Sequence, residues 1–314
     1  MRKRGAAALA VTALWLLAGC GGTEKRAAEP VDVGPVATPS GPTTTEMPFA
    51  AFLPGDGELK EIQRAESALL HSCMAEFGFT TRITAPSDAA LLADLRRGTT
   101  LPRTLEEARA YGFHNVPDAG REHAEKPGPD GTVRPDRLLV LNGPDPRPAP
   151  SGAPSTGPDR KVNGRSVPRG GCAGRTERTL AEGSPAESAE HPGNSALNTL
   201  LRLRSAAWAQ GAADPAYTEM TAAWSACMKQ RGFSYASFDA AAEDPAWART
   251  AEAGPREKSA ASADLGCRTK VNYLGVSEAV HLAYERRTVK DDAPVLASIK
   301  AHYDAVARNA RKVP

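Results

Sequence analysis

Apolar side chains recur every three or four residues along several stretches of this chain, the spacing of one buried helix face. Over residues 58–77 the stripe is Leu59, Ile62, Ala65 or Glu66, Leu69, Leu70 and Cys73, which predicts a helix with Cys73 on its inner side. Leu91, Leu92 and Leu95 mark a second helix, with Ser87 in place to cap it. Thr104 and Glu107 form a capping box for a short third helix that stops at Gly112. From Val116 to Gly171 the periodicity is lost in proline and glycine. The lone apolar run there, residues 137–142, predicts a short strand or turn. Residues 161–167 predict a small hairpin, because Asn163-Gly164 suits a two-residue turn with both φ values positive. Residues 172–181 are helical again.

The rest of the chain is patterned more regularly. Leu197, Leu200, Leu201 and Trp208 give a helix over 196–209. Asp214-Pro215 is an N-cap followed by proline at the first helical position, and its helix carries Met220, Trp224, Cys227 and Met228 inward. Helices follow over 255–271 and 277–290, with Gly266 expected to let another backbone approach. Asp291-Asp292-Ala293-Pro294 either restarts a helix or kinks one, and Val295, Leu296, Ile299, Tyr303, Val306 and Ala310 form the last stripe. Seven aromatic residues lie from Trp208 to Trp247, so the apolar centre is expected there.

One stretch occurs twice. Cys73-Met74-Ala75-Glu76-Phe77-Gly78-Phe79 matches Cys227-Met228-Lys229-Gln230-Arg231-Gly232-Phe233, each at the end of a periodic helix. Glycine there suits the left-handed residue that closes a helix, and the phenylalanine after it folds back on the last turn. A later Gly-Cys pair follows each copy: Gly171-Cys172 and Gly266-Cys267. The fold expected is mainly α. It comprises two related, disulfide-tied helical halves, residues 57–192 and 193–314, with a Pro/Gly-rich insertion and a small β-hairpin in the first.

The N-terminus is of another kind. Arg2, Lys3 and Arg4 precede a short apolar run from Ala6 to Leu17, the pattern of a secretory signal over residues 1–19 and too short for a membrane span. Leu17-Ala18-Gly19-Cys20 resembles the lipobox of bacterial lipoproteins, which implies lipidation of the Cys20 sulfur and cleavage before it. Residues 20–56 are rich in Gly, Pro, Thr and Ala and are expected to form a flexible tether. Removing Arg2, Lys3 and Arg4 with the signal turns the formal charge of +2 into −1. A near-neutral surface without a basic face argues against nucleic acid as a partner.

Four cysteines remain in an exported chain, and an even number outside the cytoplasm reads as disulfides. Of the three connectivities, the repeat favours Cys73–Cys172 and Cys227–Cys267 over swapped pairs, free thiols or metal. A copper site from His71, Cys73 and Met74 is disfavoured, since adjacent helical residues point about 100° apart. No cofactor is expected. The chain has no G-x-S-x-G, H-E-x-x-H, phosphate-loop or G-x-G-x-x-G motif, and its histidines are scattered. Glu122, His123 and Glu125 read as a wet loop, and Arg286, Arg287 and Lys290 as a wet helix face. Among the aromatics, Trp208 and Trp247 are the candidate ligand surface.

With the lipobox, both Cys-Met-x-x-x-Gly-Phe copies and Ala263-Asp264-Leu265-Gly266-Cys267, the chain resembles uncharacterised secreted lipoproteins of Streptomyces-like bacteria. That resemblance implies structural motifs and no catalytic residue. The reading at this level is a lipoprotein on the outer face of the cell membrane, anchored through Cys20. Its role would be that of a non-catalytic binding or accessory module for cell-wall polymer or an envelope protein. The alternative is an envelope enzyme acting on wall polymer through carboxylates assembled in space.

Overall fold

Helix predominates, as the periodicity requires. The computed structural model describes residues 31–41, 45–80, 88–98, 100–116, 135–143, 160–185 and 192–314. Among them are eleven α-helices and one hairpin. A 3-10 helix, Pro48–Phe52, precedes α1 (Asp56–Glu76), α2 (Ala89–Arg96), α3 (Leu105–Tyr111) and α4 (Pro135–Asn142). Strands β1 (Lys161–Val162) and β2 (Arg165–Ser166) pair antiparallel before α5 (Gly171–Leu180). Then come α6 (Pro192–Ala212), α7 (Pro215–Gln230), α8 (Phe238–Ala242), α9 (Pro255–Lys270), α10 (Tyr273–Asp291) and α11 (Ala293–Ala310). No helix among the described residues is long and apolar enough to cross a membrane. The signal segment, Cys20, Ser87, the Glu122–Glu125 loop and the proline-rich residues 144–159 lie outside the described residues.

The two repeat copies fold alike. At the end of α1, Gly78 takes φ +82° and Phe79 N–H returns to Met74 O at 3.1 Å, while Gly78 N–H reaches Ala75 O at 2.9 Å. At the end of α7, Gly232 takes φ +87°, Phe233 N–H returns to Met228 O at 3.0 Å and Gly232 N–H reaches Lys229 O at 3.1 Å. Both are glycine caps that satisfy otherwise orphaned carbonyls. A disulfide then joins α1 to α5 through Cys73–Cys172 and α7 to α9 through Cys227–Cys267, each with Cα atoms 5.7 Å apart. Each bridge sits in its own apolar cluster: Leu70, Met74, Phe77 and Val140 around the first, Met220, Trp224, Met228 and Phe238 around the second.

The halves share further cores. The C-terminal helix α11 lies against α1 and α5, and α3 lies against α9. Leu59, Leu92, Leu95, Leu197, Leu200, Leu296 and Ile299 meet in one cluster with Phe49. Full burial of each such leucine contributes about 1.5–3 kcal/mol. The apolar mass is therefore spread over leucine seams joining both ends of the chain, as well as the aromatic region between Trp208 and Trp247. At the far end of α11, Asn309 donates to Leu180 O and Glu182 O, and Arg64 of α1 donates to Val313 O at 2.7 Å.

Several local expectations are corrected. Residues 137–142 form part of helix α4, not a strand or turn. Pro135 opens that helix, Asp136 sits in its first turn, and Gly143 (φ +76°) stops it; Val140, with Leu139 and Leu141 beside it, packs inward while Leu138 stays exposed. Asp88 occupies the N-cap of α2 and makes no side-chain cap bond. Asp292 separates α10 from α11, with Pro294 in the first turn of α11, so the chain restarts a helix there. Thr104 and Glu107 do form the capping box of α3. The hairpin turns on Asn163 (φ +49°) and Gly164 (φ +76°), as expected. Asn163 also donates to Phe77 O at 2.6 Å, tying the hairpin to the glycine cap of α1.

Part of the segment expected to be a tether, residues 20–56, is docked on the helices. Val31 and Val33 pack beside Ala207, Val280 and Tyr284 of α6 and α10. Asn272 Nδ2 donates to Ala37 O at 2.8 Å, and Gly275 lies so close to that carbonyl that any Cβ would overlap it. Met47, Phe49 and Ala50 are buried, Phe49 completely. Two valines, one phenylalanine and a glycine notch in α10 suffice to dock a segment whose composition reads as linker.

Candidate functional site: a cationic groove beside the second disulfide

The repeated scaffold differs between its copies at several positions, one of which, Phe77 against Arg231, reverses a side chain from buried to exposed. Phe77, the last residue of the first cap, is buried beside its disulfide. Its counterpart Arg231 is exposed and turns over α9 instead. A Cβ built on Gly266 would meet the Arg231 guanidinium at 3.0 Å, so the missing side chain makes the seat for that cation. The nearest atoms to that Cβ all belong to the Arg231 side chain, where another backbone was expected. Gly171, the counterpart of Gly266, takes that role: a Cβ there would overlap Gly143 N and Leu141 O at the end of α4.

The facing wall is α3. Ala108 of α3 packs on Ala261 and Leu265 of α9. Glu257, buried in the first turn of α9, accepts from Phe113 N–H at 2.7 Å and contacts His114 Nδ1 at 2.7 Å. The Thr250 carbonyl at His114 Nε2, together with Glu257, raises the pKa of that imidazole. Arg103 turns its guanidinium to the carbonyls of Gly112, Phe113 and His114. Burial lowers its pKa, opposed by the nearby Asp264, Glu107 and Glu257 charges. Arg103 is thereby spent on closing the end of α3.

Between these walls runs an open groove of about 810 Å³. Its floor includes Leu101, Leu105, Phe233 and Leu265, and its cations are Arg103, Arg109, Arg231 and Lys258. No carboxylate is among the described residues lining it. Arg109, Arg231 and Lys258 form no ion pair or side-chain hydrogen bond among the described residues, unlike Arg103. The hydroxyls in the groove are already donating along their own helix: Ser259 to Pro255 O, Ser262 to Lys258 O and Thr269 to Leu265 O, at 2.8–3.0 Å. Each therefore presents lone pairs, not a proton, to the groove.

The two tryptophans singled out by sequence are elsewhere. Trp247 is 8% exposed, donates Nε1–H to Ala241 O at 2.8 Å and stacks on Phe113 behind the groove. Trp208 is half-buried between the Arg204 guanidinium, 4.3 Å from its ring centre, and the His281 ring at 4.2 Å. Its Nε1–H donates to Glu285 Oε1 at 3.2 Å. These residues serve packing and polar satisfaction and do not make an aromatic ligand surface. Cys73 and Cys227 are in disulfides, which removes both thiolates from any copper donor set.

The buried carboxylates are enclosed as well. Asp264 accepts from Trp224 Nε1–H at 3.0 Å and from Arg268 Nε–H at 2.9 Å, with the Arg268 guanidinium over the Phe238 and Tyr273 rings, 4.2 Å and 4.6 Å from their centres. Glu285 is fully buried, contacts Arg204 at 3.4 Å and accepts weakly from Phe49 N–H. Burial raises the pKa of both acids, while the adjacent arginines act against the shift. Neither carboxylate lines the groove.

Sequence reasoning missed Arg109, Arg231, Lys258 and Gly266 as a group. The available signal was Arg231 standing where the first copy has Phe77, inside a segment that shares its Cys-Met and Gly-Phe positions. Comparison of the chain with protein-family models, curated proteins and solved structures finds no match.

Proposed function

We propose that this protein is a lipid-anchored lipoprotein on the outer face of the cell membrane, held through Cys20, and that it acts there as a non-catalytic binding or accessory module. The observation that carries the binding role is the groove: three cations without partners among the described residues, held on three helices, with no lining carboxylate. The second disulfide and the glycine cap fix Arg231, while Glu257 and the capping box fix α3. The signal pattern, the lipobox and two disulfides among four remaining cysteines support an exported location. The docked segment beginning at Val31 leaves eleven residue steps back to Cys20, so the body stays within about 40 Å of its anchor.

Cell fractionation tests the location. The native chain should sediment with membranes and Cys20→Ala should be released. Equal partitioning would overturn the anchor. Incubation of the purified chain with isolated envelope material tests the role. Sedimentation with the envelope, without release of soluble fragments over time, supports a binding module. Progressive release of fragments would instead establish an enzyme.

A further inference from the structure

We propose that the groove between α3 and α9 binds an anionic polysaccharide strand, with Arg109, Arg231 and Lys258 facing its acidic groups. This rests on the binding-module reading and names the ligand class for it. Charge comes first: the cations on both walls, Arg109 and Arg231 exposed and Lys258 half-buried, meet no lining acid among the described residues, so an anion gains there without displacing an internal partner. The arrangement is extended. Lys258 and the Gly266 seat of Arg231 are eight residues apart on one helix, about 12 Å along its axis. A strand with repeated acidic groups can follow cations spaced along the helix in this way.

The uncharged lining narrows the class. The hydroxyls of Ser259, Ser262 and Thr269 spend their protons on helix carbonyls and offer acceptors, which complement ligand hydroxyl donors. Leu101, Leu105, Phe233 and Leu265 supply an apolar floor that suits the carbon-bound faces of sugar rings. Cations, acceptors and an apolar floor together match an acidic sugar chain better than an acidic peptide or a neutral glycan. The acidic group itself, carboxylate or phosphate, is distinguished by experiment.

The test is binding of the full chain in detergent to short oligogalacturonate, a sugar-phosphate oligomer, poly-L-glutamate and a neutral oligoglucan, measured over a salt series. One or both acidic sugars should bind, and the stronger identifies the acidic group. Neutral glucan should not bind, and poly-L-glutamate should bind about tenfold more weakly. Arg231→Ala and Lys258→Ala should each weaken binding about three- to fivefold. Each should also lower the slope of log affinity against log salt by about 0.7. Ser262→Ala should weaken binding about twofold or more with the slope unchanged. The pair Arg286→Ala and Lys290→Ala, on α10 outside the groove, should change nothing. Equal losses in that control pair, or binding indifferent to the groove variants, would overturn the groove assignment while leaving a binding module elsewhere. Equal or tighter binding of poly-L-glutamate would overturn the sugar assignment in favour of a peptide. No binding of any probe would overturn the ligand class, while the envelope sedimentation would still test the wider reading. Shortening of the bound oligomer would sink the non-catalytic reading instead.

Discussion

Replacing Gly171 and Gly232 separately with alanine measures what the Gly-Cys element contributes to the scaffold. Both glycines have positive φ, +66° and +87°, so alanine meets the left-handed penalty of about 1–2 kcal/mol at either site. They differ in surroundings. Nothing lies within 4 Å of a Cβ on Gly232, whereas one on Gly171 would overlap Gly143 N and Leu141 O. Those are backbone atoms, so relief requires moving the end of α4 away from α5 at the residue next to Cys172. Overpacking of that kind adds about 1–3 kcal/mol. Gly232→Ala should therefore cost about 1–2 kcal/mol and Gly171→Ala about 2–5 kcal/mol. Urea unfolding with disulfides intact, read as a midpoint shift at constant slope, gives both values. Costs agreeing within about 0.5 kcal/mol would refute the close approach of α4 and α5.

Three further outcomes are expected. Gly275→Ala should displace the Ala37 carbonyl and speed protease cleavage within residues 31–41, while the helix midpoint moves by no more than about 1 kcal/mol; an unchanged cleavage rate would refute the docked segment. Burial, reinforced by Arg204, pulls the His281 pKa down to about 4. Because that lies below the unfolded value near 6.5, its stabilisation is full above about pH 6.5 and is lost as pH falls towards 4, up to about 3 kcal/mol. His281→Phe should flatten this part of the stability–pH curve, and a profile parallel to that of the native chain would count against it. Removing Cys73–Cys172 (Cys→Ser at both ends) should cost about 4.7 kcal/mol and removing Cys227–Cys267 about 4 kcal/mol, from sequence separations of 99 and 40. A clearly larger loss on opening the shorter loop, seen in thermal unfolding, would show that loop entropy is not the main contribution.

Much of the scaffold was legible because its signals are local. The glycine caps after Met74 and Met228, the Thr104 box and the Asn163-Gly164 turn each depend on residues within one turn of one another. The disulfide pairing was legible only through repetition, since it needs contacts between distant helices. Helix α4 was not, because a short apolar run suits a strand as well as a buried helix, and only packing against Cys172 decides. The docking of residues 31–41 depends on Asn272 and Gly275, more than 230 positions away. The same separation hid the groove: its cations come from α3, α9 and the end of α7, and tertiary packing alone assembles them. For Trp208 and Trp247 the residue type was misleading, because an indole serves equally as a ligand platform and as a core side chain with one satisfied N–H.

The central claim is that two matching helix pairs, each closed by its own disulfide, hold the chain and seat Arg231 beside the second. Peptide mapping of the purified chain by mass spectrometry, with thiols blocked and no reductant, tests it directly. The account predicts two cross-linked species, one joining the peptides of Cys73 and Cys172 and the other those of Cys227 and Cys267. Four blocked thiols, or a bond from Cys73 or Cys172 to Cys227 or Cys267, would contradict it.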